Sequence, residues 1–135
     1  MKALALAVVL ILAASAAHAA GPYDGSVPLS CRIEAVFTCS QPTDCVRGTA
    51  ETVLLPPVLT VDVNRRVVSG DAAGRKAAIT AVGHGNGRML LHGDELQTSG
   101  GTAWNVVIEE ASGSMTASVL AYGGGTLMFG VCSAS

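Results

Sequence analysis

The stretch Trp104-Asn105-Val106-Val107-Ile108-Glu109-Glu110-Ala111-Ser112-Gly113-Ser114-Met115-Thr116-Ala117-Ser118-Val119 decides the fold. Folded about Glu110-Ala111-Ser112-Gly113, it sets Ile108 against Met115, Val106 against Ala117 and Trp104 against Val119. These apolar residues recur every second position, the period of a strand with one buried face. Asn105, Ser114, Thr116 and Ser118 fall on the opposite face, which is expected in water, as is Thr126. Register is strongly specified, because a one-residue slip would turn the whole apolar set outward.

Working outward, short β-rich runs alternate with turn clusters at 29–38, 46–55, 58–63, 66–69, 76–82, 88–92, 103–109, 114–121 and 126–132. Folding 76–82 onto 88–92 about Gly83-His84-Gly85-Asn86-Gly87 sets Ala81 against Met89 and Ile79 against Leu91. Folding 114–121 onto 126–132 about Gly124 sets Ala121 against Leu127, Val119 against Phe129 and Ala117 against Val131. Sixteen glycines and five prolines, all the prolines before residue 58, suit a turn-rich β chain, and Pro56-Pro57 must interrupt pairing there. The expectation is a small all-β domain, an antiparallel meander closing into a barrel or sandwich.

The first residues read differently. Met1-Lys2 is a short positive start, Ala3 to Ala14 an apolar run, and Ala17-His18-Ala19 a small-x-small cleavage pattern. This is the layout of a secretory signal over 1–19, too short for the ~20 apolar residues of a membrane span, and it leaves one domain over 20–135. Half of the whole chain is hydrophobic, but without the leader the share falls to about 44%, the ordinary globular range. Charged residues make up 13% and the formal net charge is −2, which excludes both a disordered polyelectrolyte and a nucleic-acid binder needing a basic face.

The four cysteines, Cys31, Cys39, Cys45 and Cys132, lie past the leader and fit an oxidising compartment. None shows the C-x₂₋₄-C spacing of structural zinc, so no metal is expected. Three pairings are open. Cys39–Cys45 across a turn at Pro42, with Cys31–Cys132 tying the start of the domain to its last strand, is the preferred one. Two features pull against it. A hairpin at residue 42 places Arg47, Thr49 and Glu51 opposite Ile33, Ala35 and Phe37, and Cys132 falls on the outer phase of its strand, calling for a bulge or twist.

Catalytic patterns are absent. There is no G-x-S-x-G elbow or S-x-x-K, and Ser69-Gly70-Asp71 and Ser112-Gly113-Ser114 read as turns. Asp94-Glu95 and Glu109-Glu110 are adjacent pairs, which strands point to opposite faces. His84 reads as part of a glycine-rich turn, His92 as a surface residue beside Arg88, Trp104 as a core anchor, and Asn64-Arg65-Arg66 as a turn.

Trp104-x-Val106-x-Ile108, Ser112-Gly113-x-Met115-Thr116 and Phe129-Gly130-x-Cys132 together resemble the C-terminal pattern of short exported bacterial β-proteins of unknown function, over about thirty residues. In size, leader and cysteines the chain also looks like periplasmic lysozyme inhibitors, but it lacks their Y-x-C opening and aromatic–Lys-Gly closing motif, so no inhibitory residue is carried over. The expected function is an exported, non-catalytic binding module of the cell envelope without a cofactor, recognising or inhibiting an envelope or extracellular protein. The alternative is a carrier of a small apolar ligand, with Ala81, Ala117 and Ala121 leaving room inside a barrel. A hydrolase with a site assembled from distant loops is the third reading.

Overall fold

A computed structural model describes residues 21–40, 44–70, 75–96 and 101–135. The leader over 1–19, its cleavage after Ala19, the turn residues 41–43 and Asp71 lie outside the described residues. The strands are β1 (Leu29–Ser40), β2 (Cys45–Gly48), β3 (Val58–Asp62), β4 (Val67–Ser69), β5 (Lys76–Ala78), β6 (Ala81–Gly85), β7 (Arg88–Glu95), β8 (Thr102–Glu109), β9 (Ser114–Ala121) and β10 (Gly124–Ala134). One 3-10 turn spans Glu51–Val53.

They form one antiparallel sheet in the order β5-β4-β3-β1-β10-β9-β8-β7-β6, with β2 on β1 outside this path. The two edge strands, β5 and β6, are joined only by Ile79 and Thr80. Such a link reaches about 10 Å. Nine strands laid flat would place the two edges about 38 Å apart. The sheet must therefore curl, which makes it a half-barrel rather than a two-layer sandwich. The link is bonded to both sides: Ile79 N donates to Arg66 O (3.0 Å) and Thr80 N to His92 O (2.8 Å). First and last strands close the middle, β1 pairing β10 from Leu29↔Ala134 to Ser40↔Gly124.

The hairpin of 104–119 has the expected register: Ile108↔Met115, Val106↔Ala117 and Trp104↔Val119. Gly113, at φ 75°, ends its turn by donating to Glu109 O. The two neighbouring hairpins differ from expectation by three residues. Gly83, His84 and Gly85 belong to β6, and the turn is only Asn86-Gly87, both at positive φ (51° and 71°), so His84 meets Met89 and Ala81 meets His92. This is the two-residue geometry whose twist suits a hairpin. Likewise Tyr122-Gly123 is the β9–β10 turn, with Gly123 at φ 81°, setting Ala121 against Gly124 and Ala117 against Met128. An odd shift reverses the faces. Leu127, Phe129 and Val131, expected inside, are about 40% exposed, while Met128 and Cys132 are buried. Thr126, expected in solvent, turns inward and its hydroxyl lies 3.4 Å from that of Thr38.

Both disulfides of the preferred pairing form: Cys31–Cys132 and Cys39–Cys45. A register shift at Glu34 reconciles the first strand with them. Before it, Leu29, Cys31 and Ile33 face the core; after it, Val36 does, and Ala35, Phe37 and Cys39 face outward. Cys132 needs no bulge, because the β9–β10 register puts it on the inner face with Met128 and Gly130, and the second bridge lies on the outer face. Arg47 opposite Phe37 is then no mismatch, since its guanidinium sits 5.9 Å from the ring centroid.

Two expected strands are cut short. Of 46–55 only residues 46–48 pair, as part of β2; Thr52 Oγ1 donates to Thr49 O (2.7 Å) and accepts from Thr49 N (3.1 Å), a local alternative to the ladder. Of 76–82, Ile79-Thr80 becomes the link between the sheet edges.

Candidate ligand cavity

On β7 and β9 the inner side chains are smaller at one end of the half-barrel than at the other. Along β7 they run Met89, Leu91, Gly93; along β9, Met115, Ala117, Val119. The large end is solid: Leu29, Met89, Ile108 and Met115 are at most 2% exposed, and the Cys31–Cys132 bridge lies among them. Tyr23 packs against this end and its N–H donates to Glu110 O (3.1 Å).

At the small end a cavity of about 270 Å³ opens. Its wall is largely apolar: Leu59 from β3, Val68 from β4, Ala77 from β5, Trp104 and Val106 from β8, Ala117 and Val119 from β9, and Met128 from β10. Val53, Leu55 and Pro56 cover it from the segment between β2 and β3. That cover is tied down. Arg75 Nη1 donates to Leu54 O, Leu55 N donates to Ala50 O (2.9 Å), and Pro56 packs so tightly on Gly70 that a Cβ there would lie 2.6 Å from its ring. Ser69, Arg75, Lys76, Glu95 and Thr102 are among the polar residues that also line it.

Trp104 is the anchor that the sequence implied, 8% exposed and opposite Val119, but it is also cavity wall. Its indole packs against Gly93, where a Cβ would come within 2.1 Å of the ring. Its Nε1–H is buried without an acceptor among the described residues. An unpaired buried donor costs roughly 1–3 kcal/mol, so this one is an exception to the usual pairing of buried polar groups. Of the three small residues expected to leave room, Ala117 lines the cavity, whereas Ala81 and Ala121 are exposed on the other face. The cover at 53–56 was unforeseen, because that stretch reads as a strand; the double proline that stops pairing was its one signal.

The remaining polar groups do not converge. His84 shares a 2.7 Å hydrogen bond between Nδ1 and Glu110 Oε1 at the solid end, and Glu110 is the buried charged residue of the described chain. His92 Nδ1 and Asn105 Oδ1 are 2.7 Å apart on the outer face. Glu109, the last residue of β8, points outward and accepts from Ser112 Oγ, whereas Glu110, the first residue of the turn, is buried, so the two carboxylates diverge. Asp24, near the solid end, has its carboxyl held below the ordinary range by hydrogen bonds from Ser26, with a smaller pull from His84. No group of three or more candidate metal ligands occurs among the described residues. No helix among them is long and apolar enough to cross a membrane. Comparison with protein-family models, curated proteins and solved structures finds no match for this chain.

Proposed function

We propose that this chain is an exported, non-catalytic binding protein that holds a small, mainly apolar ligand in the cavity. The observation carrying this reading is the apolar cavity at the Trp104 end of a sheet whose other end is packed solid. At about 270 Å³ it lies near the lower bound of small-molecule pockets, typically about 300 Å³ and upward. Export is supported by the leader-like 1–19 and by two disulfides, which persist in oxidising compartments. Native mass spectrometry of protein purified under mild conditions should show a low-mass adduct, and an apolar fluorescent dye should bind with one-to-one stoichiometry. Protein that carries no adduct and takes up no dye would refute the reading.

A specific outer-face feature favours the second reading, recognition of another protein. Phe37 and Phe129 meet edge to face at 6.2 Å, with Leu127 and Val131 along the same side of β10. Exposed aromatic and apolar residues on a rigid sheet are the usual anchors of a protein interface. A Phe129→Ser variant that still binds the dye but loses a cross-linked envelope partner would favour this second role; loss of neither would remove it.

A further inference from the structure

Resting on the reading of the cavity as a ligand site, we infer that residues 49–56 form a hinged cover that admits and releases the ligand, with Arg75 as its latch. The rest of the described wall is ladder. Apart from Val53, Leu55 and Pro56, the lining residues lie on β3, β4, β5, β7, β8, β9 and β10, or flank the β4–β5 turn. The two that flank it bond to each other, Gly70 N donating to Arg75 O (2.9 Å). Each of those strands is hydrogen-bonded to a neighbour, so parting any of them breaks several backbone bonds together.

The cover is built differently. Its backbone bonds close on themselves: Thr52 N donates to Thr49 O (3.2 Å), Val53 N and Leu55 N to Ala50 O (3.1 and 2.9 Å), and Leu54 N to Glu51 O (3.0 Å). The segment can therefore lift as one body without losing any of them. It joins the sheet at its ends, where β2 stops at Gly48 and Pro57 O accepts from Ile33 N (2.8 Å). Between those ends, the hydrogen bond that ties it down is Arg75 Nη1 to Leu54 O. Leu54 is also the strained residue of the segment, left-handed at φ 58° and ψ 33°, where residues with a Cβ seldom sit. Such strain persists only where the surroundings enforce it, and it clusters at switch regions. The latch thus grips the carbonyl of the residue whose backbone would relax when the cover lifts. Val53 and Leu55, half-buried against the core, and Pro56 on Gly70 supply the remaining closing force.

A bridge across the cover tests this. A Cβ on Gly70 would lie 3.7 Å from Pro56 Cβ, within the spacing of a disulfide, and the ring atom it would strike belongs to the proline being replaced. Pro56→Cys with Gly70→Cys therefore pins the cover shut, and Pro56→Ser with Gly70→Ser is the unpinned control. Exchange of 10-bromodecan-1-ol is followed by stopped-flow quenching of Trp104 emission, with the added bridge checked by non-reduced peptide mapping. The expected result is exchange about tenfold or more slower in the bridged protein than in the control, since the cover gates both entry and exit. Arg75→Gln should associate and dissociate about threefold to tenfold faster than the parent, the effect of losing one charge-assisted hydrogen bond, with Kd within about twofold. Equal rates in the bridged protein and its control, or in Arg75→Gln and the parent, would overturn the hinged cover while leaving the ligand site intact. Arg75→Gln decides alone where the bridge does not form. A parent protein without saturable quenching would overturn the cavity reading and the cover with it.

Discussion

The two ends of the half-barrel share strands but not filling. At one end Leu29, Met89, Ile108 and Met115 interlock around a buried disulfide, and the N-terminal segment closes over them. At the other, glycine, alanine and valine on the same strands leave a void that Trp104 and a tied-down cover only partly enclose. On β7 and β9 the difference lies in side-chain volume at successive inward positions. A sheet of this curvature is a packed core or a container depending on two or three residues per strand. The solid end then carries stability, and the hollow end is free to carry binding.

The sharpest way to break this comparison is to cut the staple. Replacing Cys31 and Cys132 together by serine releases a loop of 101 residues and should lower stability by roughly 2–5 kcal/mol, against about 2 kcal/mol or less for the outer Cys39–Cys45 pair, separated by six. Chemical denaturation of the two double variants measures both. Equal losses would mean that the buried bridge is not what holds the solid end.

Truncation inside each end comes next. Ile108→Ala removes a wholly buried side chain and should cost about 3 kcal/mol. Val119→Ala, half-buried against the void, should cost about 1 kcal/mol. Addition reverses the logic. A Cβ on Gly130 would lie 2.1 Å from Arg32 O, so Gly130→Ala should cost about 1–3 kcal/mol through backbone displacement. Ala117→Leu extends into the void and should stay within about 1 kcal/mol of the parent. If it costs more than Gly130→Ala, the hollow end is not hollow.

The smallest effect is at the solid end's outer margin. The Asp24 carboxyl is held below its ordinary value of 3.8, so its contribution is present above that pH and lost as pH falls through the lowered value. Asp24→Asn should therefore be slightly less stable than the parent at neutral pH, and the gap should close in acid. A gap independent of pH would mean that Asp24 acts through packing alone.

Legibility in the sequence followed local chemistry. The 104–119 hairpin was readable because polar and apolar residues alternate cleanly and Gly113 marks one turn end. The β6–β7 hairpin misled because three glycines look like one long loop, although Asn86-Gly87 alone is the strong two-residue turn signal. In Gly123-Gly124-Gly125 any of three residues could supply the positive φ, and the choice decides whether Phe129 or Met128 is core. The shift at Glu34 has no local signature; it is imposed by β10 pairing along the whole of β1. Ala117 hinted at space within the sheet, but a cavity depends on what lies across it. Its cover comes from residues more than sixty positions away.

Heavy-atom quenching of the chain's one tryptophan tests the central claim most directly, because Trp104 is part of the cavity wall. Neutral 10-bromodecan-1-ol is titrated into the parent protein and into Ala117→Leu while indole emission is followed. The account predicts saturable quenching in the parent, weakened about tenfold or more in Ala117→Leu, where the added side chain occupies the space of the tail. Quenching that never saturates, or that is the same in both proteins, would contradict it.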